Sequence, residues 1–94
     1  MIIYKYPLVQ DPTTHQELDL PEFTTPLYVG QQDNQLYVWC ELTNKSNPIK
    51  KKRFYVLGTG IEYATMPAYD QVCLEYIGTV QMPNHLVWHV YHVL

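Results

Sequence analysis

The segment Tyr76 to Leu94, Y-I-G-T-V-Q-M-P-N-H-L-V-W-H-V-Y-H-V-L, decides the fold class. Two runs of apolar, β-branched and aromatic residues flank Met82-Pro83-Asn84-His85. A Pro-Asn pair between such runs predicts a turn, because proline presets φ and asparagine tolerates the left-handed region. The segment therefore reads as a β-hairpin. In its second arm Leu86, Trp88, Val90, His92 and Leu94 point to one side and Val87, His89, Tyr91 and Val93 to the other, since side chains alternate along a strand. Both sides are mostly apolar. That predicts a strand in the middle of a sheet, with one face on the core and the other covered by a second sheet or by another subunit.

Working back from the hairpin, Gln71 to Met82 alternates, with Val72, Leu74, Tyr76, Val80 and Met82 expected inward and Glu75, Thr79 and Gln81 outward. Gly78 marks a bulge or kink. Ile61 to Asp70 has no clean period and reads as an ordered loop containing at most one helical turn. Lys51 to Leu57 begins charged and becomes apolar, as a strand rising out of solvent would, and ends at Gly58-Thr59-Gly60. Thr43 to Pro48 is a polar loop. Pro26 to Gln31 and Gln35 to Leu42 flank Gln32-Asp33-Asn34, which has the chemistry of a tight hairpin. In the second of these arms Leu36, Val38, Cys40 and Leu42 form an apolar face opposite Gln35, Tyr37, Trp39 and Glu41. Glu17 to Leu20 reads as a weak strand or a single helical turn stopped by Pro21. Ile2 to Tyr6 is a short strand that Pro7 ends or confines to an edge, because proline cannot donate to a ladder. Six or seven short strands with turn signals roughly every 8–12 residues predict a small antiparallel β-sandwich or partly open barrel.

The chain of 94 residues, Met1 to Leu94, reads as a single domain, large enough for a core without metal or disulfide staples. Both cysteines, Cys40 and Cys73, lie in apolar strand patterns, and Met1-Ile2-Ile3-Tyr4 enters directly into a strand-like run. A reduced, cytoplasmic protein is the expectation. The longest apolar run is far shorter than the roughly 20 residues of a membrane span. A net charge of −3 argues against general nucleic-acid binding, which depends on neutralising phosphates. The local exception is Lys50-Lys51-Lys52-Arg53.

K-Y-P-L (Lys5 to Leu8), L-Y-V in the first hairpin, F-Y-V-L-G-T-G (Phe54 to Gly60), Y-I-G-T-V-Q (Tyr76 to Gln81) and L-V-W-H-V-Y (Leu86 to Tyr91) follow one another along nearly the whole chain. In this order they resemble a family of short, uncharacterised phage and bacterial proteins, a domain of unknown function. The resemblance implies a viral or mobile-element origin, hence the host cytosol, and carries over no catalytic residue. The Lys50 to Arg53 cluster and His92 depart from the family pattern.

Several residues could carry chemistry. Gly58-Thr59-Gly60 frees the backbone to aim N–H groups at an anion, with a basic strand start just upstream, or it is an ordinary tight turn. Lys51 and Arg53 share a face, with Lys52 on the other, and either contact a ligand or protect a solvated strand edge. Trp39 beside Tyr37, and Tyr55 on the face of Arg53, would form stacking platforms if exposed and interface layers if covered. The candidate ligand-binding set is Trp39, Lys51, Arg53, Tyr55, Gly58, Thr59 and Gly60. No metal or cofactor site is expected: His85 and His89 would stand about 13 Å apart along a strand at 3.3 Å per residue, and His92 faces away. No nucleophile, base and orienter can be named together, and Glu62 is the one carboxylate placed to act as acid or base. A non-enzymatic binding protein is the expectation, oligomeric and sequestering a small anionic, nucleotide-derived host-defence signal. The alternatives are an inhibitor that binds a host defence protein directly and a small structural or accessory phage protein.

Overall fold

The computed structural model describes residues 1–62 and 73–94. These form seven strands, β1 (Ile2–Leu8), β2 (Gln16–Pro21), β3 (Thr25–Gln32), β4 (Gln35–Leu42), β5 (Ile49–Gly58), β6 (Leu74–Gln81) and β7 (Val87–Val93). One sheet has the order β1-β4-β3 and the other β2-β5-β7-β6, and every pairing is antiparallel. The two sheets face each other as a sandwich and do not close into a barrel. Among the described residues no helix is long and apolar enough to cross a membrane.

The terminal hairpin forms as the sequence predicts, and β7 lies between β5 and β6, where two apolar faces can both be used. Trp88, Val90 and His92 are buried, and Val87, His89, Tyr91 and Val93 are half-buried on the other side. The turn differs in detail. The left-handed residue is His85, at φ 70°, not Asn84. Asn84 instead uses its side chain, Oδ1 accepting the Leu86 N–H at 3.1 Å, which is the other way asparagine makes a turn. In the β3–β4 hairpin Asp33 (φ 51°) and Asn34 (φ 66°) are both left-handed, the signature of a two-residue type I′ turn. Gln32 pairs with Gln35 and so belongs to the strand, not to the turn.

β1 runs through Pro7 to Leu8 and is an edge strand. Since β1 pairs only with β4, the donor that Pro7 lacks is not missed. β2 is a strand and no helical turn, with Leu18 and Leu20 facing the interior and Glu17 and Asp19 outward. The lysine run lies in the first half of β5, which pairs with β2 on one side, while the pairing of β5 with β7 begins only at Phe54. β2 is the edge, and its acids face the run.

The inward expectations for β6 fail before its bulge. Tyr76, expected inward, is exposed and Leu74 is only half-buried, while Glu75 stays exposed as expected although it sits opposite the buried His92 and reaches it at 2.9 Å. The cause is a register shift between Tyr76 and Gly78: one extra residue, Ile77, changes the parity of everything before it. Ile77 then packs against the core. The expected loop from Ile61 to Asp70 lies outside the described residues from position 63 on, as does the inward placement of Val72.

The core lies between the sheets. Leu36, Val38, Cys40 and Leu42 of β4 meet Phe54 and Val56 of β5 and Trp88 and Val90 of β7, all buried. β3 and β6 close one side. A Cβ at Gly78 would stand 2.8 Å from Val29 Cγ2, so the two strands approach there as only glycine permits.

Candidate functional site

The β2–β5 ladder builds one end of the second sheet. Its register sets Glu17 against Arg53, Leu18 against Lys52, Asp19 against Lys51 and Leu20 against Lys50. Alternation sends Lys51 and Arg53 outward and carries Lys50 and Lys52 to the interior side, where the sandwich opens. A groove of about 680 Å³ runs along this end, lined by Lys50, Lys51, Lys52 and Arg53 with Glu17, Glu22, Phe23 and the chain's last residues Val93 and Leu94. The chain contains six Lys and Arg residues in all, and four of them line this groove.

The cations are not equivalent. Lys50 Nζ pairs with Glu22 at 2.8 Å. Lys51 Nζ pairs with Asp19 at 3.1 Å, and that hydrogen bond holds its pKa above the ordinary lysine value. Lys52 is half-buried, and among the described residues its Nζ donates to the Val93 carbonyl, at 3.4 Å. Burial lowers the Lys52 pKa, against weaker pulls from Cys40 and Glu75. Among the described residues no carboxylate forms an ion pair with it. A partly desolvated ammonium with no ion-pair partner among the described residues gains from an arriving anion.

Phe23 stands at the same groove in the β2–β3 turn. It is 72% exposed and left-handed, at φ 66°. The turn is tied on both sides. Glu22 N–H donates to the Pro48 carbonyl at 2.8 Å, Asn47 Nδ2 to the Glu22 carbonyl at 3.0 Å, and Thr43 Oγ1 to the Phe23 carbonyl at 3.3 Å. Buried Thr24 donates its hydroxyl to the Pro21 carbonyl.

Of the candidate ligand-binding set, only Lys51 and Arg53 reach this groove. Gly58, Thr59 and Gly60 lie at the far end of β5, about 20 Å away at 3.3 Å per residue. There they form a tight turn in which Thr59 N–H donates to the Val87 carbonyl at 3.3 Å and Ile61 N–H to the Gly58 carbonyl at 3.4 Å. Gly60 takes φ 80°. Thr59 Oγ1 meets His89 Nε2 at 2.6 Å, and His89 Nδ1 meets Thr79 Oγ1 at 2.9 Å, so hydroxyls engage both ring nitrogens. Glu62 is exposed beyond this turn.

Trp39 lies on the outer face of the other sheet, its ring 5.7 Å from Tyr28 and 5.9 Å from Tyr37. The cation there is Lys5, 4.5 Å from the Tyr37 centroid, and not Arg53. Tyr55 is buried at 5% exposure, edge-on to His15 at 6.1 Å, and offers no open face for stacking. Among the described residues no three His, Cys, Asp or Glu side chains converge on one point. His89 and His92 take opposite faces of β7.

Residues 1–94 match a family described as a domain of unknown function, DUF7352. The chain belongs to that family. No curated protein and no solved structure matches it. The match takes in all of the DUF7352 chain, both sheets and the groove alike.

Sequence reasoning left out Lys52, Glu22 and Phe23. Alternation set Lys52 on the face opposite Lys51 and Arg53, but nothing in the pattern marks which face is interior or where a sandwich opens. Phe23 carried one signal, a lone aromatic between Pro21 and Pro26 in a stretch otherwise suited to a turn.

Proposed function

We propose that this DUF7352 protein is a non-enzymatic binding protein that holds a small anionic ligand in the groove along the β2–β5 ladder. The observation that carries the reading is Lys52, a half-buried cation that among the described residues meets a carbonyl and no ion-paired carboxylate, among four cations gathered into one groove of a protein with net charge −3. The volume of about 680 Å³ suits a small molecule, since ligand clefts run to about 300–1,000 Å³. With the phage-type resemblance, the finer reading is sequestration of a nucleotide-derived host-defence signal in the host cytosol.

The test is a thermal-shift panel of nucleotides, cyclic oligonucleotides and ADP-ribose-like compounds, with inorganic phosphate as control. A ligand at 100 times its Kd adds about 2.7 kcal/mol, which moves the melting point by about ten degrees or more in a domain of this size. Lys52→Met keeps the apolar stem and removes the charge, and it should abolish most of the shift. A panel without any shift, or a shift that Lys52→Met and Arg53→Ala leave intact, overturns the groove as the site.

A second reading has an observation of its own. Tyr28 is 63% exposed and Ile3 54% exposed beside Trp39 and Tyr37, an apolar face suited to a host protein or to a second copy of the chain.

A further inference from the structure

We infer that Phe23 is the specificity-determining residue of the groove, a stacking surface for an aromatic ring, and that the ligand carries a nucleobase beside its phosphate. The inference rests on the groove being the binding site.

A left-handed backbone is unfavourable for any residue with a Cβ and is a genuine outlier for a bulky one. Glycine or asparagine would serve this turn at less cost. At φ 66° Phe23 nevertheless stays in place, because hydrogen bonds from Glu22, Thr24, Thr43 and Asn47 fix the carbonyls and amide around it. The ring is little covered by the fold in return. It is 72% exposed, and no aromatic ring among the described residues contacts it. Backbone strain held by its surroundings at the wall of a cleft is a mark of function.

The chemistry of the cleft gives that function its direction. Lys50, Lys51 and Lys52 line the same groove as the Phe23 ring. Ammonium groups suit phosphate oxygens, and an exposed aromatic face suits the π-surface of a base. Inorganic phosphate or a sugar phosphate would use the first half of this arrangement and leave the second idle.

Binding of AMP, ADP-ribose and cyclic di-AMP as base-bearing probes is measured by titration calorimetry, with ribose 5-phosphate and pyrophosphate as probes that lack a ring. The variants are Phe23→Gly, Phe23→Trp and Lys52→Met. Phe23→Gly should weaken the base-bearing probe that binds best by about tenfold or more, on the scale of base–aromatic stacking. It should leave the ring-free probes within twofold of the unmodified protein, and Phe23→Trp should restore the lost affinity. Since glycine accepts φ 66° without strain, unliganded Phe23→Gly should melt no lower than the unmodified protein, which separates a stacking role from a structural one. Equal binding of all probes by Phe23→Gly, or equal loss of all of them, overturns the inference while the groove reading stands. If the unmodified protein binds neither class, the groove reading fails first and this inference with it.

Discussion

His92 is a histidine placed where a proton costs stability. It is 3% exposed, its ring centroid is 6.2 Å from that of Phe54, and Nε2 meets Glu75 Oε1 at 2.9 Å. Nδ1 is buried with no hydrogen-bond partner among the described residues. Burial pushes its pKa below the ordinary 6.5, with Lys52 adding to the effect and Glu75 opposing it. As pH falls, the unfolded chain takes up the proton before the folded one does. The stability linked to His92 is therefore complete above the unfolded pKa of about 6.5 and is lost as pH drops from there toward the lower folded value. Urea midpoints should hold level from pH 8 to 7 and fall between pH 6.5 and 5. His92→Leu, which removes the titration and the unpartnered Nδ1 together, should flatten that fall, and an unchanged slope would exclude His92 as its source. Cys40 needs no such test: burial lifts its thiol to about 11, and it packs as a small apolar side chain. Neither burial was beyond the sequence, since both residues alternate with apolar neighbours. The missing partner at Nδ1 was, because it depends on strands far apart in the chain.

At the scale of elements, period-two alternation placed the strands, since each sheet has one face on a common core. The same logic failed where a bulge intervened. Gly78 was visible as a kink, yet the residue that bulges is Ile77, and the exposure of Tyr76 follows from pairing with β7, which no local pattern encodes. The glycine itself answers to β3. In Gly78→Ala the new methyl would sit 2.8 Å from Val29 Cγ2, and the strands at that corner must part or Val29 must move. Overpacking of this kind should cost about 1–3 kcal/mol in urea unfolding. The double variant Gly78→Ala, Val29→Ala should lose less than the two single losses added together, because the cavity left by one change receives the methyl of the other. Strictly additive losses would place the strain elsewhere. The lysine run gives the complementary lesson. Its alternation was legible, but its counter-ions Asp19 and Glu22 come from β2 and the turn after it, where the sequence offered only a weak strand.

For the whole molecule the unresolved balance is between two outer surfaces and one groove. Burying Phe54, Val56, Trp88 and Val90 against β4 uses up the inner faces of both sheets, which leaves the aromatic ridge Tyr28, Trp39 and Tyr37 on the outside of the first. There Tyr28 and Ile3 keep 63% and 54% of their surface open. Exposed surface of this kind, with Tyr and Trp at its centre, has the aromatic enrichment of an interface, and Lys5 and Glu41 stand among its rings. Both faces of a terminal strand being apolar suggested self-association, but the surface that best supports it lies on β1, β3 and β4 and not on β7, whose outer side carries the His89–Thr59–Thr79 hydrogen bonds. We expect multi-angle light scattering to give a mass above the monomer that falls on dilution, and Tyr28→Ser with Ile3→Ser to give the monomer at every concentration. That double variant should leave binding at the groove unchanged, because the groove belongs to the other sheet. A monomer throughout, from the unmodified chain, would leave this face for a partner protein and remove self-association as its purpose. Loss of groove binding in the double variant would instead tie the two surfaces together, with the ligand held only when copies of the chain assemble.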